Sequence, residues 1–181
     1  MPVQHIAIDV YQISLRVGET LYPSLWTAAH FQGALRVANT VWQPADIVFD
    51  LRSYVPQEFA LLNRNSNANL SPDDDKMYLL STHSGRSGIG VCLVNTAVTT
   101  GGDLLGGYYE RRFRSCFISF SHLMNQAGIN LAHEFGHGLL GLGHPGGSGN
   151  LMQTHTPSQT NVGLTPDQIR VAQQNAVQLT S

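Results

Sequence analysis

The residues best suited to chemistry lie in one short stretch of the C-terminal third, HEFGHGLLGLGHPGGSGNLM, residues 133–152. His133 and His137 are four residues apart, and Glu134 directly follows the first histidine. On a helix, residues four apart lie one above the other, with Cβ atoms roughly 5–6 Å apart, so two imidazoles can reach one ion. This spacing suits zinc, and Glu134 is placed to act as general base on a water molecule. The pattern HExxH therefore predicts a catalytic zinc site, with two solvated surface histidines as the alternative.

A third protein ligand is expected, because a catalytic zinc site takes three protein ligands and leaves one position for water. No glutamate follows His137, and the candidates that remain are His144, His155 and Asp167. Asp167 has another explanation, since TPDQ at residues 165–168 has the form of a helix capping box with proline at the first helical position. Two glycines shortly before His144 can turn the chain sharply out of a helix. We therefore favour His144 over His155.

The elements that must position these residues alternate between strand and helix signals. Apolar residues spaced for strands, or short apolar runs, predict strands at residues 5–15, 45–55, 76–84, 89–98 and 115–121. Helical spacing of apolar residues predicts helices at residues 23–41, 123–140 and 166–179. A long polar loop is expected at residues 63–75, and a glycine-containing loop at residues 101–107. In the helix at 123–140, Leu131, Phe135 and Leu139 share one face while His133 and His137 point away from it.

Length and composition indicate a single globular domain spanning residues 1–181. Only 12% of the residues are charged, the formal net charge is −2, and the basic residues form no long run. These features argue against a nucleic-acid-binding protein and against a polybasic membrane anchor. No apolar run approaches the ~20 residues needed to cross a bilayer, so we expect a soluble chain. The one basic cluster, Arg111, Arg112 and Arg114, indicates a solvated rim.

The N-terminus and the two cysteines bear on cellular location. The first residues alternate apolar and polar side chains as a strand does and lack the pattern of an export signal. Cys92 and Cys116 are too few for a disulfide framework, and their separation does not fit a metal knuckle. They are either two buried thiols or one disulfide, which would favour an exported protein.

The stretch HEFGHGLLGLGH, followed eight residues later by Met152 in GNLM, resembles the metzincin clan of zinc metallopeptidases, whose pattern is HExxHxxGxxH and a methionine turn. The likeness is closest to minimal catalytic domains of the matrix-metalloproteinase type. It covers the chain in outline and residues 130–152 at the level of the motif. The clan has five residues between its second and third histidines, whereas six separate His137 from His144. We expect the extra residue within 138–140, absorbed by a bulged or extended last helical turn.

This resemblance implies an α/β (α+β) fold: a twisted, mostly parallel five-stranded sheet with one antiparallel edge strand, two long helices and a C-terminal helix. Residues 89–98 would be that edge strand, along which a peptide substrate would pair. If so, Cys92 and Cys116 would lie on neighbouring strands at a spacing that a disulfide can bridge. Met152 would form the floor of the site. Zn²⁺ is the implied cofactor, and Ca²⁺ at Asp73–Asp75 is a further expectation.

The implied activity is that of a zinc-dependent endopeptidase with Glu134 as general base. Some relatives use a tyrosine two residues after the methionine to bind the oxyanion; here that residue is Thr154, and His155 is a possible substitute. We expect a monomeric, secreted or exported enzyme that acts on protein or peptide substrates, without nucleic-acid or membrane partners. Two alternatives are a toxin or effector protease with a narrow target and a non-catalytic binding module stabilised by zinc. Against the module, structural zinc sites are usually closed by four protein ligands, often cysteines, and no cysteine lies near the motif.

Overall fold

The computed structural model describes residues 2–61, 70, 73–85, 87–98, 103–141, 144, 149–153 and 162–180, with the backbone alone at residues 73 and 74. Within these residues the α-helices are α1 Ala28–Trp42, α2 Asp73–Thr82, α3 Met124–Leu140 and α4 Pro166–Thr180. The strands are β1 Gln4–Val17, β2 Thr20–Tyr22, β3 Ile47–Ala60, β4 Ile89–Val94, β5 Ala97–Val98, β6 Leu104–Leu105, β7 Gly107–Glu110 and β8 Ser115–Ser119. No described helix is long and apolar enough to span a membrane.

The main sheet is mixed and mostly parallel. Its principal strands lie in the order β3-β1-β4-β8-β7; the first four are parallel, and β7 is antiparallel to β8. The short strand β2 pairs antiparallel with the last residues of β1 and brings the described sheet to six strands. Strands β5 and β6 form a separate antiparallel pair. The predicted mostly parallel α/β sheet with an antiparallel edge is confirmed, and β2 is an addition to the five strands expected.

Helices cover both faces of this sheet. The larger core lies between the sheet and α1, α3 and α4, and the smaller core lies between the opposite face and α2. Successive side chains of β4 alternate between the two: Val91 and Leu93 face the larger core, and Cys92 and Val94 face the smaller one. A parallel strand covered on both faces is expected to be apolar at every position, as IGVCLV is. The helix α3, which carries the predicted zinc ligands His133 and His137, packs against the sheet on the side of the larger core.

The predicted edge strand was wrong in its position. Residues 89–94 form β4, which is buried at every residue and pairs in parallel with β1 on one side and β8 on the other. The antiparallel edge strand is instead β7, Gly107–Glu110, which begins within the stretch predicted to be a glycine-containing loop. The reason is physical: an uninterrupted apolar run suits an interior parallel strand, whereas a four-residue strand that starts with glycine carries little strand signal.

The strand predicted at residues 76–84 was also wrong, because this segment belongs to helix α2. The run Met77–Leu80 is too short for periodicity to separate a strand from a buried helix, and methionine, leucine and lysine favour a helix. Leu79 and Leu80 are fully buried in the smaller core. The Asp73–Asp75 segment that was expected in a surface loop starts the same helix, while residues 63–69 and 71–72 of that predicted loop lie outside the described residues.

The cysteines are free thiols on opposite faces of the sheet. Val91 is the register partner of Cys116, and Cys92 is the partner of Phe117. Because adjacent positions on a strand face opposite sides, Cys92 lies in the smaller core and Cys116 in the larger one. The disulfide expected from the family likeness is therefore wrong, and both thiols are buried. The predicted export of the protein loses the support that a disulfide would have given.

The three helix predictions are confirmed by α1, α3 and α4, the first with a later start. Helix α1 begins at Ala28 because Thr27 caps it, its hydroxyl accepting a hydrogen bond from the amide of His30. Helix α4 begins at Pro166 with the predicted capping box. The Gln168 amide donates to the Thr165 hydroxyl at 3.2 Å, and the Gln168 side-chain oxygen accepts from the Thr165 amide at 2.8 Å.

Candidate metal centre

Helix α3 is held on several sides before it presents its histidines. The Trp42 indole of α1 donates a hydrogen bond to the Ala132 carbonyl at 3.1 Å, and Phe49 of β3 stacks on Phe135 with ring centroids 4.0 Å apart. Ala132 and Phe135 are fully buried in the larger core. The helix is therefore fixed in translation and in rotation about its axis, which fixes the direction of His133 and His137.

Three of the predicted site residues meet at the outer side of this helix. The Nε2 atom of His133 lies 3.1 Å from Nε2 of His137 and 3.2 Å from Nε2 of His144. Ligand atoms of the three residues all lie within 4.8 Å of one another. His133 is buried, His137 is half-buried and His144 is exposed. The group is therefore open to solvent on the side of His144.

A backbone carbonyl sets the orientation and the protonation state of His133. Its Nδ1 atom lies 2.7 Å from the carbonyl oxygen of Leu151. A carbonyl can only accept, so Nδ1 carries the proton and Nε2 presents a lone pair to the other imidazoles. Burial is the main reason why the pKa of His133 is lowered to about 4; the hydrogen bond to the Leu151 carbonyl opposes the shift, and the neighbouring His137 and His144 add to it. The ring is therefore neutral at physiological pH, as a metal ligand must be.

Glu134 is buried beside this group with part of its hydrogen-bonding capacity unused. Its side chain packs against Gly107 of β7, where an added Cβ would lie 2.8 Å from both Cγ and Oε1 of Glu134. The Oε2 atom is buried and has no hydrogen-bond partner among the described residues. Burial raises the pKa of Glu134 to about 8. A nearby cation would act in the opposite direction, because it favours the charged form of the carboxyl group and lowers its pKa. Burial and a bound cation together would therefore set the pKa of Glu134.

The chain leaves α3 at Gly141, which has a φ of 63° and donates its amide hydrogen to the carbonyl of His137. This left-handed conformation favours glycine and turns the chain towards His144. The helix is a continuous α-helix to Leu140, so residues 138–140 belong to its last turn. How the additional residue between His137 and His144 is accommodated stays a prediction.

Met152 lies in the turn directly after the carbonyl that orients His133. Its side chain is fully buried and approaches Gly136 of α3 so closely that a Cβ there would lie 2.3 Å from the methionine sulfur. The Met152 amide donates to the side-chain oxygen of Asn150 at 2.8 Å. Asn150 in turn exchanges hydrogen bonds with Gln168, at 2.8 Å and 3.1 Å. The turn under the site is thus fastened to the start of α4.

The three imidazoles fit a zinc ion. Two ligands of a tetrahedral zinc ion with Zn–N bonds of roughly 2.0–2.1 Å lie about 3.3–3.4 Å apart, close to the separations of the histidine Nε2 atoms. Imidazole is a preferred ligand of zinc, so three converging imidazole nitrogens are a suitable set of ligands for this ion. The hydrogen bond from Nδ1 of His133 to a carbonyl is the outer contact that zinc-binding histidines usually make.

The other candidates are separate from this group or lie outside the described residues. Asp167 is exposed and pairs with Arg170 at 3.7 Å, as its place in a helix cap suggests. His155 and Thr154 lie outside the described residues. Among the remaining histidines, His83 is buried but bonded to the Leu79 carbonyl and to Gln57, and His5 pairs with Asp50. Within the part of the chain that is described, His133, His137 and His144 form the single group of metal-binding type.

Comparison with known proteins gives a fold likeness without a sequence match. No protein-family model and no curated protein matches the sequence. Three similar solved structures are the archaemetzincin of Methanopyrus kandleri (TM-score 0.59, 14% identity, 94% of this chain and 95% of that chain), the archaemetzincin of Archaeoglobus fulgidus complexed with malonate (0.57, 12%, 92% and 99%) and a zinc-dependent peptidase of Methanocorpusculum labreanum (0.57, 11%, 91% and 99%). The fold resembles that of an archaemetzincin peptidase. The predicted zinc-metallopeptidase architecture is confirmed at this level, and the closer likeness to the matrix-metalloproteinase type stays a prediction.

Sequence reasoning missed the residues that support the histidines. The carbonyl of Leu151 could not be predicted, because any residue supplies a backbone carbonyl. The role of Asn150 could not be predicted either, because asparagine is common in turns without such a role. Gly107 was assigned to a loop, although it lies on the edge strand against Glu134. The adjacent glycines 106 and 107 were the available signal, since glycine in a strand often marks close approach of another group.

Proposed function

We propose that this protein is a zinc-dependent endopeptidase with His133, His137 and His144 as zinc ligands. The observation that carries the proposal is the convergence of three imidazole nitrogens at separations that suit tetrahedral zinc. Glu134 is buried on the same helix as His133 and His137, directly after His133 in the sequence. The likeness of the fold to an archaemetzincin and to a zinc-dependent peptidase supports the same reaction class. Three histidines without a cysteine are a ligand set found in catalytic zinc sites, whereas structural sites usually include cysteines.

The protein side chains would divide the work of amide hydrolysis. A zinc ion would supply Lewis acidity, polarising the scissile carbonyl and acidifying the attacking water. Glu134 would take a proton from that water and later deliver it to the leaving amine; this role needs the charged carboxylate, which a bound cation would favour against the effect of burial. His133 would remain neutral and correctly oriented through its hydrogen bond to the Leu151 carbonyl. Met152 would support the three ligands from below.

A peptide substrate would lie along β7. This strand is the antiparallel end of the described sheet, and its Gly107 touches the side chain of Glu134. An extended peptide that pairs with a strand is held by its backbone, so the reacting amide would be brought beside Glu134 with little dependence on any one side chain. This arrangement favours an endopeptidase with protein or peptide substrates.

The proposal is tested first by metal content and activity. Purified protein should contain one zinc ion per chain and should cleave a generic protein such as casein. Treatment with a chelator should abolish the cleavage, and added zinc should restore it. An anomalous-scattering map should place the metal among His133, His137 and His144; a metal ligated by His155 in place of His144 would contradict the ligand assignment.

The role of Glu134 is tested by Glu134→Gln. The substitution should leave zinc content unchanged, because Glu134 is not one of the proposed ligands, and should reduce kcat by roughly 10² to 10⁴ because the general base is lost. His137→Ala is the matched comparison, since it should lose both zinc and activity. Near-normal cleavage by Glu134→Gln, with zinc bound, would show that the assigned mechanism is wrong.

A further inference from the structure

The three arginines of the basic cluster occupy different surroundings in the turn between β7 and β8. Arg112 is an exposed residue that pairs with Glu110 at 3.1 Å, as expected of a solvated rim. Arg111 is also exposed and Arg114 is half-buried, and both line a pocket of about 220 Å³ between this turn and the C-terminal parts of α3 and α4. The exposure of Arg111 and Arg112 agrees with the predicted solvated rim, and the pocket is an additional feature of Arg111 and Arg114.

The pocket combines positive charge with neutral polar groups. Its remaining lining includes Gly138 of α3 and Asn175 and Gln178 of α4. No carboxylate is among the lining residues, and in the described part of the chain no acidic side chain forms an ion pair with Arg111 or Arg114. A chain with a formal net charge of −2 thus places two arginines at one concavity that has no carboxylate among its lining residues.

The two arginines are held in place by the backbone. The Arg114 amide donates to the carbonyl of Arg111 at 3.3 Å, and the Arg114 carbonyl accepts from Gly90 of β4 at 2.9 Å. Arg114 adopts a φ of 49°, a left-handed conformation that is uncommon for a residue other than glycine. On the opposite wall, the Asn175 side chain donates to the carbonyl of Leu139 at 2.6 Å, which fixes α4 against the end of α3. These hydrogen bonds fix the backbone on both sides of the pocket.

A favourable interaction with the end of α3 explains only part of this arrangement. The Arg111 guanidinium lies beside Gly141, where an added Cβ would be 3.1 Å from one of its nitrogens. A cation at this position is stabilised by the carbonyl end of the helix dipole. That interaction gives a reason for Arg111 but none for Arg114, which lines the same pocket.

We propose that this pocket is a binding site for a small oxyanion, either a phosphate or a carboxylate. Each guanidinium offers a fork of donors that matches two oxygens of such a group, and a pair of them is the usual arrangement for its recognition. Water occupies about 30 Å³ per molecule in the liquid, so the pocket has room for about seven waters, enough for inorganic phosphate or for the carboxylate end of a short peptide. The site is separate from the three histidines, and it does not depend on the peptidase activity proposed above.

The test is a titration of the purified zinc-loaded protein with inorganic phosphate, in a low-salt buffer free of other oxyanions, followed by ¹H–¹⁵N NMR. Saturable shifts are expected for the backbone amide of Gly138 and the side-chain amide of Asn175. Arg111→Gln and Arg114→Gln should each weaken phosphate binding at least about tenfold, because each removes charged hydrogen bonds. Arg112→Gln is the matched control, since it removes the same charge from the same turn, and it should change the affinity less than about twofold.

A second arm identifies the source of the oxyanion. Acetyl-Ala-Ala with a free C-terminal carboxylate is compared with the same peptide as its C-terminal amide, in the wild type and in the two arginine variants. Binding of the free acid alone, weakened by both variants, would assign the pocket to peptide carboxylates; binding of phosphate alone would assign it to phosphate. The proposal would be overturned if the amide signals of Gly138 and Asn175 showed no saturable shift with either ligand. It would also be overturned if Arg112→Gln weakened binding as much as the other two variants, or if the folded Arg111→Gln and Arg114→Gln proteins bound as the wild type does.

Discussion

The burial of Glu134 makes a quantitative prediction about the zinc-free protein. Burial raises the pKa of this carboxyl from 4.5 to about 8, so the folded chain keeps a proton that the unfolded chain loses between these values. Because the folded-state pKa is the higher one, this contribution to stability is fully present below pH 4.5 and declines as the pH rises towards 8. Glu134→Gln has no proton to lose and should not show the decline.

The magnitude follows from proton linkage. Within this window each pH unit costs about 1.4 kcal/mol of folding free energy for one retained proton. Between about pH 5 and pH 7, the stability of the wild type should therefore fall by roughly 2–3 kcal/mol relative to Glu134→Gln. Bound zinc should reduce the difference, because a nearby cation favours the carboxylate form in the folded state.

The measurement is urea unfolding of chelator-treated protein at both pH values. The quantity of interest is the change in the difference between wild type and Glu134→Gln, since titrations common to both proteins cancel. Glu19→Gln, which alters an exposed carboxylate in the turn after β1, is the control and should show no such change. A difference between wild type and Glu134→Gln that stays constant from pH 5 to pH 7 would refute a buried, protonated Glu134 in the zinc-free fold.

Two further predictions concern the edge strand and the cysteines. Gly107→Ala should retain zinc yet lower kcat by about tenfold or more, because the added Cβ would displace the side chain of Glu134. Gly163→Ala, where an added Cβ meets nothing within 4 Å, is the control and should leave kcat unchanged. Equal activity in the two variants would show that Gly107 does not position Glu134. Cys92 and Cys116 should both react with a thiol reagent in denatured, unreduced protein and neither in the native protein, since both are buried free thiols; a denatured protein without reactive thiols would contradict the strand register.

The sequence was most informative where the chemistry depends on local spacing. His133, Glu134 and His137 share one helix, so the separation of four residues alone was enough to predict that two imidazoles converge. His144 was predicted from the glycines before it, and Gly141 does adopt the left-handed conformation that turns the chain. The start of α4 could be predicted for the same reason, because a capping box is closed by residues three apart.

The sequence was least informative where position depends on distant parts of the chain. Whether an apolar run is an interior or an edge strand depends on its neighbours, and IGVCLV became an interior strand because both β1 and β8 pair with it. The same dependence decided the cysteines, since their relative position follows from the register of β4 against β8. Helix α2 was mistaken for a strand because its apolar run is too short for periodicity to separate a buried helix from a strand.

The proposed zinc site is supported by contacts that link three separate parts of the chain. The Leu151 carbonyl orients His133, and the next residue, Met152, is held through its amide by Asn150. Asn150 pairs with Gln168, whose side-chain oxygen also closes the cap of α4. Gln168 therefore has two functions, since the group that starts a helix also fixes the turn beneath the site.

This linkage gives a physical reason for the position of the C-terminal helix in the fold. A ligand such as His133 needs an acceptor at a fixed place, but the turn at residues 149–153 belongs to no helix or strand that would fix its carbonyls. Helix α4 supplies the missing support, because it packs into the larger core through Ala172 and Ala176 and so has a fixed position of its own. The hydrogen bonds of Gln168 to Asn150 and of Leu151 to His133 connect this helix to the imidazole. Helix α4 therefore helps to preorganise the proposed metal centre, although it contributes no ligand to it.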